Sequence, residues 1–380
     1  MRGDSRQVTM TAAALGLAGV AAAFFLCERE RFWINWVLWF LFLLTTGLGS
    51  LFLVALEHVV GARWSVPLRR VPETIAGLVP PMGGAALVGL LSLGTLYPWA
   101  SAEGLRDPLV AGKSAWLNEP FFALRVAACV LLWTVSYAVL VRGSRRQDKT
   151  GDPRFNRRAR RFAPLFMVIL GLTVTVTAFD WISSLEPVWY SDIFGVYVFA
   201  GAFLAGLAAT TLFTLHLREV GRLAGVGPDH LHNLGGFLFA FTVFWAYIGF
   251  AQYLLMWYAN IPEEVFWYGE RLHGAWGGML LALALLHFLV PFLVLIPRDA
   301  KSRPRLLFGV SLLMLAMHWL DLYWMLFPSV AGAPLFGWPE LAFALLFLSG
   351  GVWRVRRLMG RGEAMPVGDP FLREGLEFRL

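Results

Sequence analysis

Residues 177–201 read TAFDWISSLEPVWYSDIFGVYVFAG, with a long apolar run on either side. Two acids, Asp180 and Glu186, stand there among Phe179, Trp181, Trp189 and Tyr190, aromatic residues of the kind that gathers where a helix leaves a bilayer. The chain is therefore expected to emerge from a membrane at this point and turn straight back. Acids so placed are costly and commonly functional.

The rest of the sequence agrees with that reading. Of 380 residues, 58% are hydrophobic and 15% charged, with 17 Trp, 31 Phe and a mean hydropathy of +0.63. This is the composition of a polytopic membrane protein. Ten apolar segments of about 20 residues, each long enough to cross roughly 30 Å of hydrocarbon, fall near 8–26, 32–60, 72–97, 121–141, 163–183, 192–217, 234–258, 272–296, 305–327 and 335–353. The first, behind Arg2 and Arg6, has the look of a secretory signal. Leu26 before Cys27 argues against lipoprotein cleavage, so the segment is read as a membrane helix.

Of the 32 Lys and Arg, 26 fall on the N-terminus, the even-numbered connections and the tail, and five on the odd connections. Both termini are therefore expected to be cytoplasmic. The last, Arg125, lies inside the fourth segment, where snorkelling to the interface is the commoner fate and meeting an acid the alternative. The densest basic run, 142–161, becomes a cytoplasmic loop beside anionic headgroups. It lacks the aromatic interleaving that stacks bases, so the net charge of +7 implies no nucleic-acid partner. Cys27 and Cys129 form no CxxC or CxxCH motif, which excludes covalent haem and a cysteine-held iron–sulfur cluster in this chain.

Helices two to five and six to nine read as a duplicated four-helix unit. Asp180 precedes Pro187 by seven residues, and Asp321 precedes Pro328 by seven; Glu119 and Arg125 open helix four as Glu264 and Arg271 precede helix eight. This predicts two parallel-repeat bundles, 32–183 and 184–327, with 1–31 and 328–353 as peripheral helices and 354–380 as a tail. In helix three, Pro80, Pro81, Met82, Gly83 and Gly84 predict a kink or an unwound stretch, whose freed carbonyls either line a polar cavity or are packed away. Gly201, Ala205, Gly206 and Ala209 on helix six read as a packing face.

The buried ionisable residues are the nearest thing to chemistry. His318 and Asp321, three apart, share a face of helix nine. Ordered by depth, Glu57, His58, Glu73 and His216 form an inner set, with His287 on the same half. Asp180, Glu186 and His273 form an outer set, leaving His318 and Asp321 between. A proton relay requires such an order, with Asp180, His318 and Asp321 its foremost members. Each has a duller reading as well: Asp180 and Glu186 as helix caps or as partners of Arg125 or Arg271, the histidines as helix contacts. No pattern of facing histidines repeats as bis-histidine haem would need, and no metal site is expected.

In FDWISSLEPVWYSDIFGVYVFAGAF, in LHNLGGFLFAFTVFWAYIGFAQYLLMWYANIPEE and in the tail PVGDPFLREGLEFRL, the chain resembles the polysulfide reductase and NrfD-like membrane-anchor subunits, more closely those of alternative complex III. The resemblance runs over essentially the whole length. It implies a subunit of a respiratory quinol:cytochrome c or oxidase-linked complex in a bacterial inner membrane, without a cofactor of its own. Menaquinol or ubiquinol, haem c and iron–sulfur clusters are then expected elsewhere in the complex. The implied partners are a related ten-helix subunit, a periplasmic iron–sulfur subunit, multihaem cytochrome c subunits, lipids and a terminal oxidase. Three alternatives stand beside proton conduction: a quinol site at His273, Tyr258 and Trp267, a secondary transporter, and a structural scaffold.

Overall fold

The computed structural model describes residues 2–380, except the side chains of residues 2–5 and 263. Among the described residues the chain is helical, with no strand. Nine helices there are long and apolar enough to cross a membrane: α1 (Arg6–Leu26), α2 (Arg29–Val60), α3 (Val66–Leu96), α4 (Glu119–Thr150), α5 (Arg154–Leu185), α6 (Phe194–Glu219), α7 (Pro228–Ala259), α8 (Gly274–Leu295) and α9 (Pro304–Ser329). A further helix, α10 (Trp338–Met359), is 22 residues long and less apolar, because Glu340, Arg354, Arg356 and Arg357 fall within it. Glu340 is neutralised by Arg31 at 2.7 and 2.9 Å and accepts from the Asn35 amide at 3.1 Å.

The basic run 142–161 is not a loop. Helix α4 carries on to Thr150 and α5 begins at Arg154. The turn is confined to the residues between them, where Gly151 adopts φ +65° and its N–H closes on the Gln147 carbonyl at 2.8 Å. A left-handed residue after a helix C-terminus favours glycine for want of a Cβ.

Helices α2 and α6 form the centre. Over their most apolar 18 residues 94% and 83% are buried, against 22% for α8. Both are apolar on every face, the pattern of a helix surrounded by others. Helix α2 packs on α3 and α5, α6 packs on α7 and α9, and α2 and α6 pack on each other; α5 also meets α6, and α9 meets α2. The crossing of α2 and α6 is a backbone contact: a Cβ on Gly206 would stand 2.5 Å from the Gly49 carbonyl carbon. Small residues permit that approach, and dispersion between close backbones holds it.

Helix α3 does not unwind at its prolines. It tightens to 3₁₀ geometry over Ala76–Leu78, and α-helix resumes at Val79–Gly89. Pro81 faces outward, while Gly83 packs against Val130 of α4, where a Cβ would meet a methyl at 2.8 Å. The double proline is accommodated in a helix that carries on through it. Outside the core, α1 lies along α10, with Gly19 against Ala342.

Beyond α10 the chain folds back across the Arg-rich end of the helices. Asp369 pairs with Arg69 and accepts from the Asn156 amide at 3.0 Å. The Gly368 N–H donates to Asp148 at 3.1 Å, and the Gly375 carbonyl meets His230 Nε2 at 2.9 Å.

Candidate functional site

The aromatic edge that opens the sequence argument holds two ion pairs. Asp180 sits in a wide π turn, Ala178–Ile182, at the end of α5. Its carboxylate takes Arg125 Nε at 2.8 Å and Nη2 at 2.9 Å, and Trp116 Nε1 at 3.2 Å. The third arm of Arg125 donates to the Trp116 carbonyl at 2.8 Å, and its guanidinium lies 4.2 Å from the Trp116 ring centre. Arg125 is 7% exposed, so it does not snorkel; a buried guanidinium with an acid in reach pairs bidentately instead. Glu186 takes Arg271 at 2.7 and 3.3 Å. Burial pushes the Glu186 carboxyl up from the ordinary range, against the pull of Arg271. These two acids hold helix ends and loops together.

Arg125 thus serves Asp180, whereas Arg271 serves Glu186 and also reaches the Met325 carbonyl at 3.1 Å. Asp321 is left without a cation. One of its oxygens accepts from Tyr197 Oη at 2.6 Å and the other from Trp245 Nε1 at 3.2 Å, and it forms no ion pair among the described residues. The carboxyl is 1% exposed.

Beside Asp321 lies His318. Its Nε2 meets Thr45 Oγ1 at 2.9 Å, and the Thr45 hydroxyl hydrogen is directed to the Leu41 carbonyl at 2.7 Å. The same hydroxyl reaches the Phe42 carbonyl at 3.2 Å. His318 Nδ1 has no hydrogen-bond partner among the described residues. It borders the niche left by Gly201, where a Cβ would lie 3.2 Å from Nδ1 and 3.8 Å from Asp321 Oδ2. Gly201 thus makes room between acid and base as well as serving helix packing.

His287 belongs to this central group rather than to the inner set. It occupies a π turn, Leu283–Leu289, preceding Pro291, which has no N–H to give the His287 carbonyl. Its ring lies against Trp245, centres 4.1 Å apart and planes tilted by 41°, and both nitrogens lack partners. Two turns along α9 from His318, about 10 Å, Ser311 is buried with an unpartnered hydroxyl, as are Thr210 and Thr214 on α6. Sequence reading passed over these hydroxyls, and Thr45, Tyr197 and Trp245 with them. Helical spacing was their one signal: 210 and 214 differ by four, 311 and 318 by seven.

At the inner end, Glu57 lies 3.8 Å from Arg69, and Glu73 pairs with Arg70, which also binds Asp148. His58 is buried with Nε2 unpartnered, and a cavity of about 50 Å³, roomy enough for a water molecule, touches Glu57, His58, Arg69 and Asn156. His216 is exposed on the far side of α6 and does not join this set. Among the described residues no three His, Cys, Asp or Glu gather as a metal would require.

The quinol triad is not brought together. Tyr258 is 84% exposed and His273 is exposed, its Nδ1 meeting the Gly269 carbonyl at 2.8 Å. Trp267 is buried, stacked on Trp189 at 4.5 Å with the Arg271 guanidinium 4.0 Å from its ring centre, so both partners fill the space a quinone ring would need. No protein-family model matches the chain, and no curated protein matches it.

Proposed function

We propose that this chain is an integral subunit of a bacterial quinol-oxidising respiratory complex, that it carries no redox group of its own, and that it moves protons through the seam around Asp321 and His318. The motifs shared with the NrfD-like subunits of alternative complex III support membership. The related membrane subunit, iron–sulfur subunit, multihaem cytochromes and terminal oxidase follow from it, as do ten spans with both termini cytoplasmic. The proton role rests on one observation: a buried carboxyl with two neutral donors and no cation, beside an imidazole whose Nδ1 is unpartnered. Such a pair exchanges a proton without breaking an ion pair, which Asp180 and Glu186 cannot do. Those two acids are assigned to packing, and the hydroxyls of Ser311, Thr210 and Thr214 to the route toward Glu57 and His58.

The filled faces of Trp267 weigh against a quinol site here, and the continuous helix α3 against a transporter with an unwound substrate site. The test is Asp321→Asn in the native membrane. Assembly and electron transfer from quinol are expected to persist while the proton-to-electron ratio falls; an unchanged ratio would leave the chain a scaffold.

A further inference from the structure

At the Arg-rich end, away from the seam, a cavity of about 560 Å³ opens between the ends of α4, α6 and α10 and the segment that follows α10. Seven cationic side chains reach it: Arg70 from α3, Arg142, Arg145 and Lys149 from α4, Arg222 after α6, Arg354 from α10, and Arg361. Arg70 is paired with Glu73 and Asp148, and none of the other six forms an ion pair among the described residues. Of the two acids on the wall, Asp148 is taken by Arg70 and by the Gly368 N–H, which leaves Glu363.

Three of the guanidiniums are aimed by neutral oxygens. Arg145 donates to the Leu358 carbonyl and the Thr74 hydroxyl, each at 3.1 Å. Arg222 donates to the Met359 and Gly362 carbonyls at 3.2 and 3.1 Å, and Arg354 Nε to the Gly77 carbonyl at 3.2 Å. Carbonyls orient a guanidinium without cancelling its charge. Arg145 Nε is buried and has no partner. Cations merely solvated at a membrane face spread outward along helices; these converge from four separate stretches of chain on one concavity, over a floor that includes buried Tyr137, Leu217 and Leu358.

We propose that this cavity is a binding site for a phosphate-bearing anion. Guanidinium forks match phosphate oxygens two by two, several of them together favour an oligoanion, and the volume falls in the range of small-ligand sites. The same chemistry is offered by the headgroup of an anionic phospholipid and by a free oligophosphate. Either one, by engaging Arg361, ties the segment after α10 to α4 and α6.

The experiment uses the full chain in nanodiscs of phosphatidylcholine alone, or with one-fifth phosphatidylglycerol, titrated with pyrophosphate at matched ionic strength. Thermal melting and the rate of tryptic cleavage after Arg361 are the readouts. In phosphatidylcholine, pyrophosphate is expected to raise the melting temperature saturably and slow cleavage. The variant R142Q/K149Q/R361Q, whose three side chains make no hydrogen bond or ion pair among the described residues, is expected to fold and to need about tenfold more pyrophosphate, the loss of one or two charge-assisted bonds. If phosphatidylglycerol alone gives the protection and abolishes the response, the headgroup is the ligand; if the response persists undiminished, it is the soluble anion. Absence of any effect from either, or an identical response in the triple variant, overturns the site.

Discussion

The pair Glu186–Arg271 is where single side chains bear most directly on stability. Replacing one member of a buried pair strands the other charge, at a cost of about 3–5 kcal/mol, whereas an apolar pair of similar size restores most of the loss. Arg271→Met is therefore expected to lower the melting temperature sharply and R271M/E186L to recover most of it, as calorimetry of the two would show. Because burial holds the Glu186 carboxyl above its usual range, the folded chain keeps that proton to higher pH than the unfolded chain does. Its contribution is then greatest in acid and is lost as pH rises through the raised value. A pH series should find this slope in the wild type and not in Glu186→Gln. At this scale the sequence offered Arg125 and Arg271 as partners for Asp180 and Glu186, although they lie 55 and 85 positions away, but could not choose pairing over helix capping. The donors to Asp321 are 124 and 76 residues distant, and an isolated Tyr or Trp in an apolar run looks like packing.

Among the elements, spans were easy to read and their ends were not. Twenty apolar residues announce a helix whatever surrounds it, since backbone groups in hydrocarbon must be satisfied within the segment. The helical stretches beyond the hydrocarbon, 142–150 and 154–162, carry no such signal, because Arg and Lys are good helix formers that composition alone assigns to a loop. The small residues of α6 did announce a contact, though not its partner. That contact supplies a prediction: Gly206→Leu is expected to abolish accumulation of the folded chain, since the side chain would have to enter the α2 backbone, while Gly236→Leu, with nothing within 4 Å, leaves it intact. Membrane abundance of the two variants decides it.

For the molecule as a whole, α2 and α6 make a rigid axle around which both sets of helices are laid, and the stretch after α10 closes one end. Arg69, at the start of α3, has Glu57 at 3.8 Å and finds a closer acid in Asp369, 300 positions later. Asp369→Ala is expected to destabilise the chain by about 1.5–3 kcal/mol through loss of a charge-assisted hydrogen bond, with increased proteolysis at the Arg-rich end as the readout. This joining of early and late residues also bears on how the protein is made. Glu57 is made before Arg69, so a first counter-charge is at hand from the start. Only after α10 has been laid down does the second and closer one arrive. A chain that stops before residue 369 leaves Arg69 with its longer contact alone and the Arg-rich end uncovered.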